Sequence, residues 1–426
     1  MSNSDLASRV PLRLPSASAT FAIAIAGYLG VNLSPYMIGA LQSALGTDVL
    51  TASWIVTGAL LATAIVGLAI APLCAGPRRR LVARAGLALG VLGFGAAALL
   101  PVPGVVVGGL LLGGAGAGGA VAAAGAALAA FRNPDRVAGF NGLANRGIIT
   151  VVLAVLPVIG LAPLEVFGAL ALFSLIGLVL SAWLPAAPVH GPQAGAAVAE
   201  AMPVEIPPTG AIREVPRRTP ATAKAVTIAG FTLLVTFALW AASEDSLWAM
   251  AGFMGTEQAG LTPEGLGIAL SGATAGGLVG SLVLTIVGDR LGRAAPLGIL
   301  LVAGGALKIA EGFASDPTTF IVIFVAWNTI YALAFMYFVS TSAALDADGR
   351  WSGPLLAVYL VGSSLTPVIG AALVELLGFQ GFAVALGIAS FVLAVPTVVV
   401  ARLSTRLQRE ERLAIPTATT TEEVPA

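Results

Sequence analysis

Twelve apolar runs, each long enough to cross a bilayer, fall in two groups of six on either side of a polar stretch. They lie near 18–45, 52–75, 82–101, 104–131, 139–161 and 164–185, then near 225–255, 262–287, 296–313, 319–344, 353–376 and 379–401. A crossing takes roughly 20 mainly apolar residues. Hydrocarbon offers no partner to a backbone N–H or C=O, so runs of this length predict helices, whose backbone bonds are all internal. The expected fold is therefore an all-α polytopic membrane protein, with 12 transmembrane helices in two pseudo-symmetric six-helix bundles.

The composition fits that class. Of 426 residues, 58% are hydrophobic and only 10% charged, against about 25% charged in a soluble domain. The expected organisation is a disordered cytosolic N-terminus at 1–17, a first bundle at 18–186 and a cytosolic linker at 187–223. A second bundle at 224–403 and a cytosolic tail at 404–426 complete it. The first apolar run is far longer than the ~7–15 residues of a signal peptide's core, so it is expected to be retained as a helix. The sequence also repeats itself: Pro157-Val158-Ile159-Gly160 returns 210 residues later as Pro367-Val368-Ile369-Gly370, with Glu165 and Glu375 at matching distances. That repeat suggests one six-helix module present twice.

Charge distribution orients the chain, because basic residues collect in cytoplasmic loops. With the N-terminus inside, Arg78, Arg79, Arg80, Arg84, Arg132, Arg136, Arg290, Arg293, Arg350 and Arg402 all fall on the inner side, as do the linker arginines. Both termini are thus expected in the cytosol. No basic patch with interleaved aromatics supports nucleic-acid binding. Cys74 and His190 are the only residues of their kinds, so neither a disulfide nor a thiolate or paired-histidine metal site is expected. No cofactor is implied, and no constellation of an intramembrane enzyme is present.

The loop between spans eight and nine reads Gly288-Asp289-Arg290-Leu291-Gly292-Arg293. It resembles the cytosolic loop motif of the major facilitator superfamily, with Asp289, Arg290 and Gly292 matching and Arg293 adding charge nearby. Thr285 stands in place of the motif's first glycine, and Ala294-Ala295 in place of its final basic pair. The equivalent loop of the first half, Gly76-Pro77-Arg78-Arg79-Arg80, keeps only positive charge. The resemblance covers nearly the whole chain through the six-plus-six layout, the linker and the loop. It implies secondary active transport of a small organic solute across the cell membrane by alternating access, with Asp289 as part of a gate. Arginine in span four and a Gly-Pro pair in span five, found in many proton-coupled drug exporters, are missing here.

Candidate site residues follow from polar groups inside apolar spans, which are costly there and serve function. Pro35 is expected to open span one locally, and Asn32 and Tyr36, four apart, share a helix face. Glu244 and Asp245 of span seven are the proton candidates; adjacent on a helix they point ~100° apart, so one of the two is expected to face the cavity. Arg146 of span five either snorkels to the interface or binds an anionic group. Trp327, Asn328, Tyr331 and Tyr337 of span ten supply aromatic faces and polar tips. Lys308 and Glu311, three apart on span nine, are expected to pair with each other. The glycine runs of spans four and eight are expected to serve close helix packing, or smooth surfaces for rocking. Proton coupling is expected, with export placed slightly ahead of uptake and a monomer as the working unit. The alternative is a membrane receptor or scaffold using the same fold without transport.

Overall fold

The computed structural model describes residues 10–74, 76–128, 130–131, 134–185, 220–287, 292–345 and 351–413. Asp289, Arg290, His190 and all but the last residues of the linker lie outside them. Among the described residues the secondary structure is helical apart from one isolated bridge between Val10 and Phe131. The first half contains α1 (Leu14–Asn32), α2 (Ser34–Leu45), α3 (Val49–Cys74), α4 (Arg79–Leu99), α5 (Pro103–Leu128), α6 (Pro134–Ile159) and α7 (Pro163–Leu180). The second contains α8 (Pro220–Phe253), α9 (Pro263–Val287), α10 (Ala294–Glu311), α11 (Pro317–Leu345), α12 (Ser352–Ser364) and α13 (Thr366–Leu413).

Ten of these helices are long and apolar enough to cross a membrane. Counting α9, and dividing α13 at Gly378, where φ is 65°, gives twelve crossings. Span one is α1 and α2, interrupted at Leu33 (φ −89°, ψ 4°), with Pro35 in the first turn of α2. The break expected from Pro35 is thus two residues before it, where the ring's missing N–H no longer holds the preceding turn. α1 starts at Leu14 and α13 runs to Leu413, so helix reaches further toward both ends than the apolar runs alone indicate.

One sequence expectation does not carry into three dimensions. Gly160, with φ 134°, sits directly after the end of α6, and Glu165 belongs to the next helix. Gly370, by contrast, lies inside α13, and its chain does not turn until Gly378. Eight residues are about two helical turns. The two Pro-Val-Ile-Gly strings therefore occupy different depths, and the repeated string is not the mark of equivalent positions. Duplication rests on the six-plus-six order of helices instead.

The glycines of α5 serve packing inside the first half. A Cβ at Gly114 would run into the carbonyl oxygen of Ala59, one at Gly118 into that of Thr63, and one at Gly116 into that of Gly86. Thr63 Oγ1 also donates to the carbonyl of Gly114 at 2.9 Å. Backbones this close gain dispersion that lipid cannot otherwise supply. Gly114→Ala is expected to cost about 1–3 kcal/mol by overpacking, whereas Gly108→Ala, with nothing within 4 Å, should not destabilise. Apparent unfolding temperatures of the two variants in detergent would check this, and equal midpoints would refute it.

The arginines after α3 hold the exit of span six. Arg79 is buried and donates to the carbonyls of Cys74 (2.9 Å) and Pro185 (3.3 Å), Arg80 donates to Leu184 (2.8 Å), and Arg84 donates to Ser181 Oγ (3.3 Å). Cations at the carbonyl end of a helix satisfy its orphan acceptors and oppose its dipole. At the other ends of the helices, Asp48 accepts from the backbone N–H of Thr51 at 2.7 Å and Asp316 from that of Thr319 at 3.0 Å. These bonds favour the ionised form and hold both exposed carboxyls below the ordinary aspartate range.

Packing divides unevenly through the thickness of the molecule. On the side away from the chain termini, one apolar core is shared by both halves, running from Leu29, Tyr36 and Leu153 to Met250, Leu266 and Phe320. On the terminal side there are two cores instead. One belongs to the first half alone (Ile23, Leu87, Ala124) and the other to the second alone (Phe237, Phe338, Leu355). Among the described residues, the core common to both halves thus lies on the side away from the termini.

Candidate transport site at the seam

Three pairs of spans meet across the seam. Spans five and eight are linked by Thr150 and Thr274, whose Oγ1 atoms are 2.8 Å apart. Spans two and eleven are linked by the Val368 N–H donating to Thr57 Oγ1 at 3.2 Å and by Ser364 Oγ donating to the Leu60 carbonyl at 3.3 Å. Spans one and seven are linked by Trp248 Nε1 donating to the Asn32 carbonyl at 3.3 Å. Gly267 of α9 packs on Pro157 and the Leu153 carbonyl, so glycine brings spans five and eight together as well. Replacing Thr150 and Thr274 together by cysteine is expected to give an oxidisable pair, since their β-substituents already touch. The chain's only cysteine, Cys74, is buried, so a mobility shift in denaturing gels, reversed by reductant, would report the bridge. Its absence would contradict this contact.

Arg146 resolves the choice left by its position. Its Nη1 lies 2.5 Å from where a Cβ of Gly277 would sit, so the guanidinium points across the seam onto span eight. It is also within electrostatic reach of Tyr331. Snorkelling to the membrane surface is therefore not its role; the missing side chain at Gly277 makes room for it.

Opposite Arg146, the second half brings its ionisable groups together in its middle. Glu244 is 2% exposed and Asp245 8%. Asp245 Oδ1 accepts from the Tyr331 hydroxyl at 3.1 Å, and that hydroxyl is 3.1 Å from the hydroxyl of Tyr359 on span eleven. Asp245 Oδ2 has no hydrogen-bond partner. Glu244 faces the other way. Its Oε1 is 2.6 Å from Lys308 Nζ and its Oε2 accepts from Trp327 Nε1 at 2.6 Å. Lys308, fully buried, also donates to Ser243 Oγ (2.8 Å) and Ser390 Oγ (2.9 Å), so all three of its protons are used. Four helices, spans seven, nine, ten and twelve, thus converge on one ion pair.

This corrects the expectation that Lys308 pairs with Glu311. A spacing of three brings the two residues to one face, but the deeper partner on span seven satisfies the ammonium. Both oxygens of Glu311 are left without a partner, although the residue is completely buried.

The remaining candidates are distributed differently from the sequence expectation. Asn32 uses its side-chain amide on the Tyr28 carbonyl of its own helix at 2.9 Å. Tyr36 is buried and donates to the Leu153 carbonyl at 2.9 Å, which ties span one to span five within the first half. The two do not present an amide and a phenol together. Tyr36 and Pro35 instead border a cleft of about 170 Å³ between spans one and seven, with Gln42, Met250 and Thr256. Trp327 is 1% exposed and committed to Glu244, while Asn328 is buried with its Oδ1 unpartnered. Tyr331 stacks between Trp240 and Trp327 at ring-centroid distances of 5.3 and 6.1 Å. Tyr337 joins the core of the second half. In the loop motif, Gly292 has φ 66°, the left-handed region that glycine enters without steric cost, and Arg293 Nε donates to Ser340 Oγ at 2.8 Å. Tyr359, Ser243 and Ser390 were not singled out in the sequence, where a tyrosine or serine in a span carries little signal.

A bundle of twelve helices in two halves, with ionisable groups buried beside the seam between them, is the architecture of a membrane transporter. The family model described as Major Facilitator Superfamily matches residues 19–345, and the chain belongs to that superfamily. Similar solved structures include a peptide transporter of the POT type, at 15% identity and a TM-score of 0.72, covering 95% of this chain and 98% of that one. The nucleoside transporter NupG matches at 15% identity and a TM-score of 0.65, covering 91% and 99%. The human organic anion transporter MFSD10 (TETRAN) matches at 15% identity and a TM-score of 0.60, covering 91% and 100%. At that identity the likeness is one of fold. No curated protein matched the sequence.

Proposed function

We propose that this protein is a proton-coupled secondary transporter that moves a small organic solute across the cell membrane, with export slightly ahead of uptake. The observation that carries this reading is the buried Glu244–Lys308 pair, with Asp245 beside it, in a half whose partner presents Arg146 across the seam. Charges this deep are costly to retain and are kept where they move ions or bind solutes. Arg146 suits an anionic group on the solute, in a bidentate bond that a lysine could not form. Tyr331, stacked on Trp240 and Trp327, suits a ring or an apolar body.

A core shared by both halves at one mouth, with each half keeping its own core toward the termini among the described residues, supports one end state of alternating access, closed at the shared mouth. With the termini cytosolic, as the arginine distribution supports, that state is open inward. Opening the other mouth requires parting the Thr150–Thr274 and Val368–Thr57 contacts and closing the terminal side, where Gly292 and Arg293 lie. Asp289 and Arg290 are assigned to that closure by their place in the motif. The peptide, nucleoside and organic-anion specificities of the structural relatives support a soluble small molecule as cargo.

The direct experiment is a mass-spectrometric solute screen with the purified, monomeric protein in liposomes under an imposed pH gradient. Gradient-dependent accumulation of at least one solute, collapsed by a protonophore, is the expected result. Accumulation that ignores the gradient would remove protons from the mechanism, and no flux of any solute would favour a receptor or scaffold.

A further inference from the structure

Glu311 is a carboxylate that the transport reading leaves unused. It is completely buried, both its oxygens lack partners, and it sits at the end of span nine away from the chain termini. An ionised carboxylate stripped of water and partners is penalised so strongly that such a group neutralises instead. Protonation removes the charge at once. One turn before it stands Lys308, and residues three apart on a helix have Cβ atoms only ~5–6 Å apart. A lysine's flexible four-carbon stem spans that distance.

We propose that Glu311 is a second proton-binding site and that Lys308 exchanges between Glu244 and Glu311, so that a proton entering from the seam leaves through the second half of the molecule rather than onward along the solute pathway. In the arrangement seen here, Lys308 neutralises Glu244 and Glu311 holds the proton. When a proton arrives from the seam, an O–H bond forms on Glu244 and the ammonium is released. Lys308 then turns to Glu311, whose O–H bond breaks as its proton leaves toward the opposite mouth. Before and after, the cluster holds one ammonium, one carboxylate and one carboxylic acid. Its charge is unchanged, and the net result is one proton moved along span nine.

The surroundings allow this exchange. From span seven only Glu244 and Asp245 bring charge to Lys308, and Asp245 is engaged by Tyr331, itself beside Tyr359. Span twelve contributes the neutral Ser390 and span ten the Trp327 N–H. At the far end, Gln258 bonds the carbonyls of Glu311 and Ala314 at 2.8 Å each, and its own Oε1 is without a partner. That amide oxygen is a ready acceptor along a proton's way out. The proposal rests on the proton-coupled reading, but its test needs neither solute nor flux.

The test is infrared spectroscopy of the full-length protein in liposomes, reading the C=O stretch of protonated carboxylic acids at neutral pH. Glu311→Gln should lose the intensity of one acid, and Glu311→Asp should retain it and so control for folding. The decisive variant is Glu244→Gln, a neutral mimic of protonated Glu244. It should also lose the Glu311 acid band, because the freed Lys308 ionises Glu311. An unchanged band in Glu311→Gln would overturn the proton site. A band that persists in Glu244→Gln while Glu311→Gln removes it would overturn the exchange. Failure of the solute screen with these spectra intact would bear on the transport reading alone.

Discussion

Lys308→Met is expected to destabilise the protein by about 3–5 kcal/mol, more than overpacking at Gly114 would. The figure is the usual loss when one partner of a buried pair is removed and the other charge is stranded. Here the stranded group is Glu244, 2% exposed, with only the Trp327 N–H left to satisfy it. The hydroxyls of Ser243 and Ser390 lose their donor at the same time. The pair itself need not be a net source of stability, because desolvating two ions offsets much of their attraction. That distinction can be measured. Lys308→Met combined with Glu244→Gln removes both charges, and should recover most of the loss in a double-mutant cycle. Apparent unfolding midpoints in detergent are the readout. A double variant as unstable as Lys308→Met would mean that packing, not the stranded charge, is at issue.

Glu244→Gln is expected to abolish solute accumulation driven by a pH gradient while solute exchange at equal pH continues. Glutamine cannot take up and release a proton, yet it still accepts from Trp327 and keeps the shape of the site. Accumulation needs the proton step; exchange needs only that the seam open at either mouth with solute bound. Unimpaired accumulation in Glu244→Gln would remove this residue from coupling. The same assay on Asp245→Asn separates the two neighbours, since Asp245 faces Tyr331 and the seam side whereas Glu244 faces the interior of its own half. If only Asp245→Asn fails to accumulate, coupling runs through the carboxylate beside the solute, and the Glu244–Lys308 pair is architectural.

Several features of the molecule were legible in the residues alone, for reasons that can be stated. The apolar runs marked the spans to within a few residues, except for the end of the last, because lipid forces each crossing to be a helix of nearly fixed length. The break in span one was announced by Pro35, a local steric effect. The identity of the superfamily was carried by a loop motif whose glycine needs a left-handed backbone. Where the sequence misled, it did so over distance. Pro157-Val158-Ile159-Gly160 and Pro367-Val368-Ile369-Gly370 look like register marks, but a string of four residues contains no information about depth in a helix.

The partner of Lys308 shows the same limit most clearly. Along the chain its nearest opposite charge is Glu311, and helix spacing puts the two on one face; the ammonium nevertheless goes to Glu244, 64 positions away. That choice depends on how spans seven, nine, ten and twelve are packed, which fixes where buried donors can find acceptors. Arg146 is similar: its value at the seam depends on an absent side chain at Gly277, on another helix in the other half. The amino-acid sequence determined that this chain is a twelve-span helical membrane protein, because hydrophobicity and backbone satisfaction are local requirements. Only the tertiary structure decided which buried charges meet, because in a low-dielectric interior a few ångströms of packing settle whether an ion is paired, protonated or left alone.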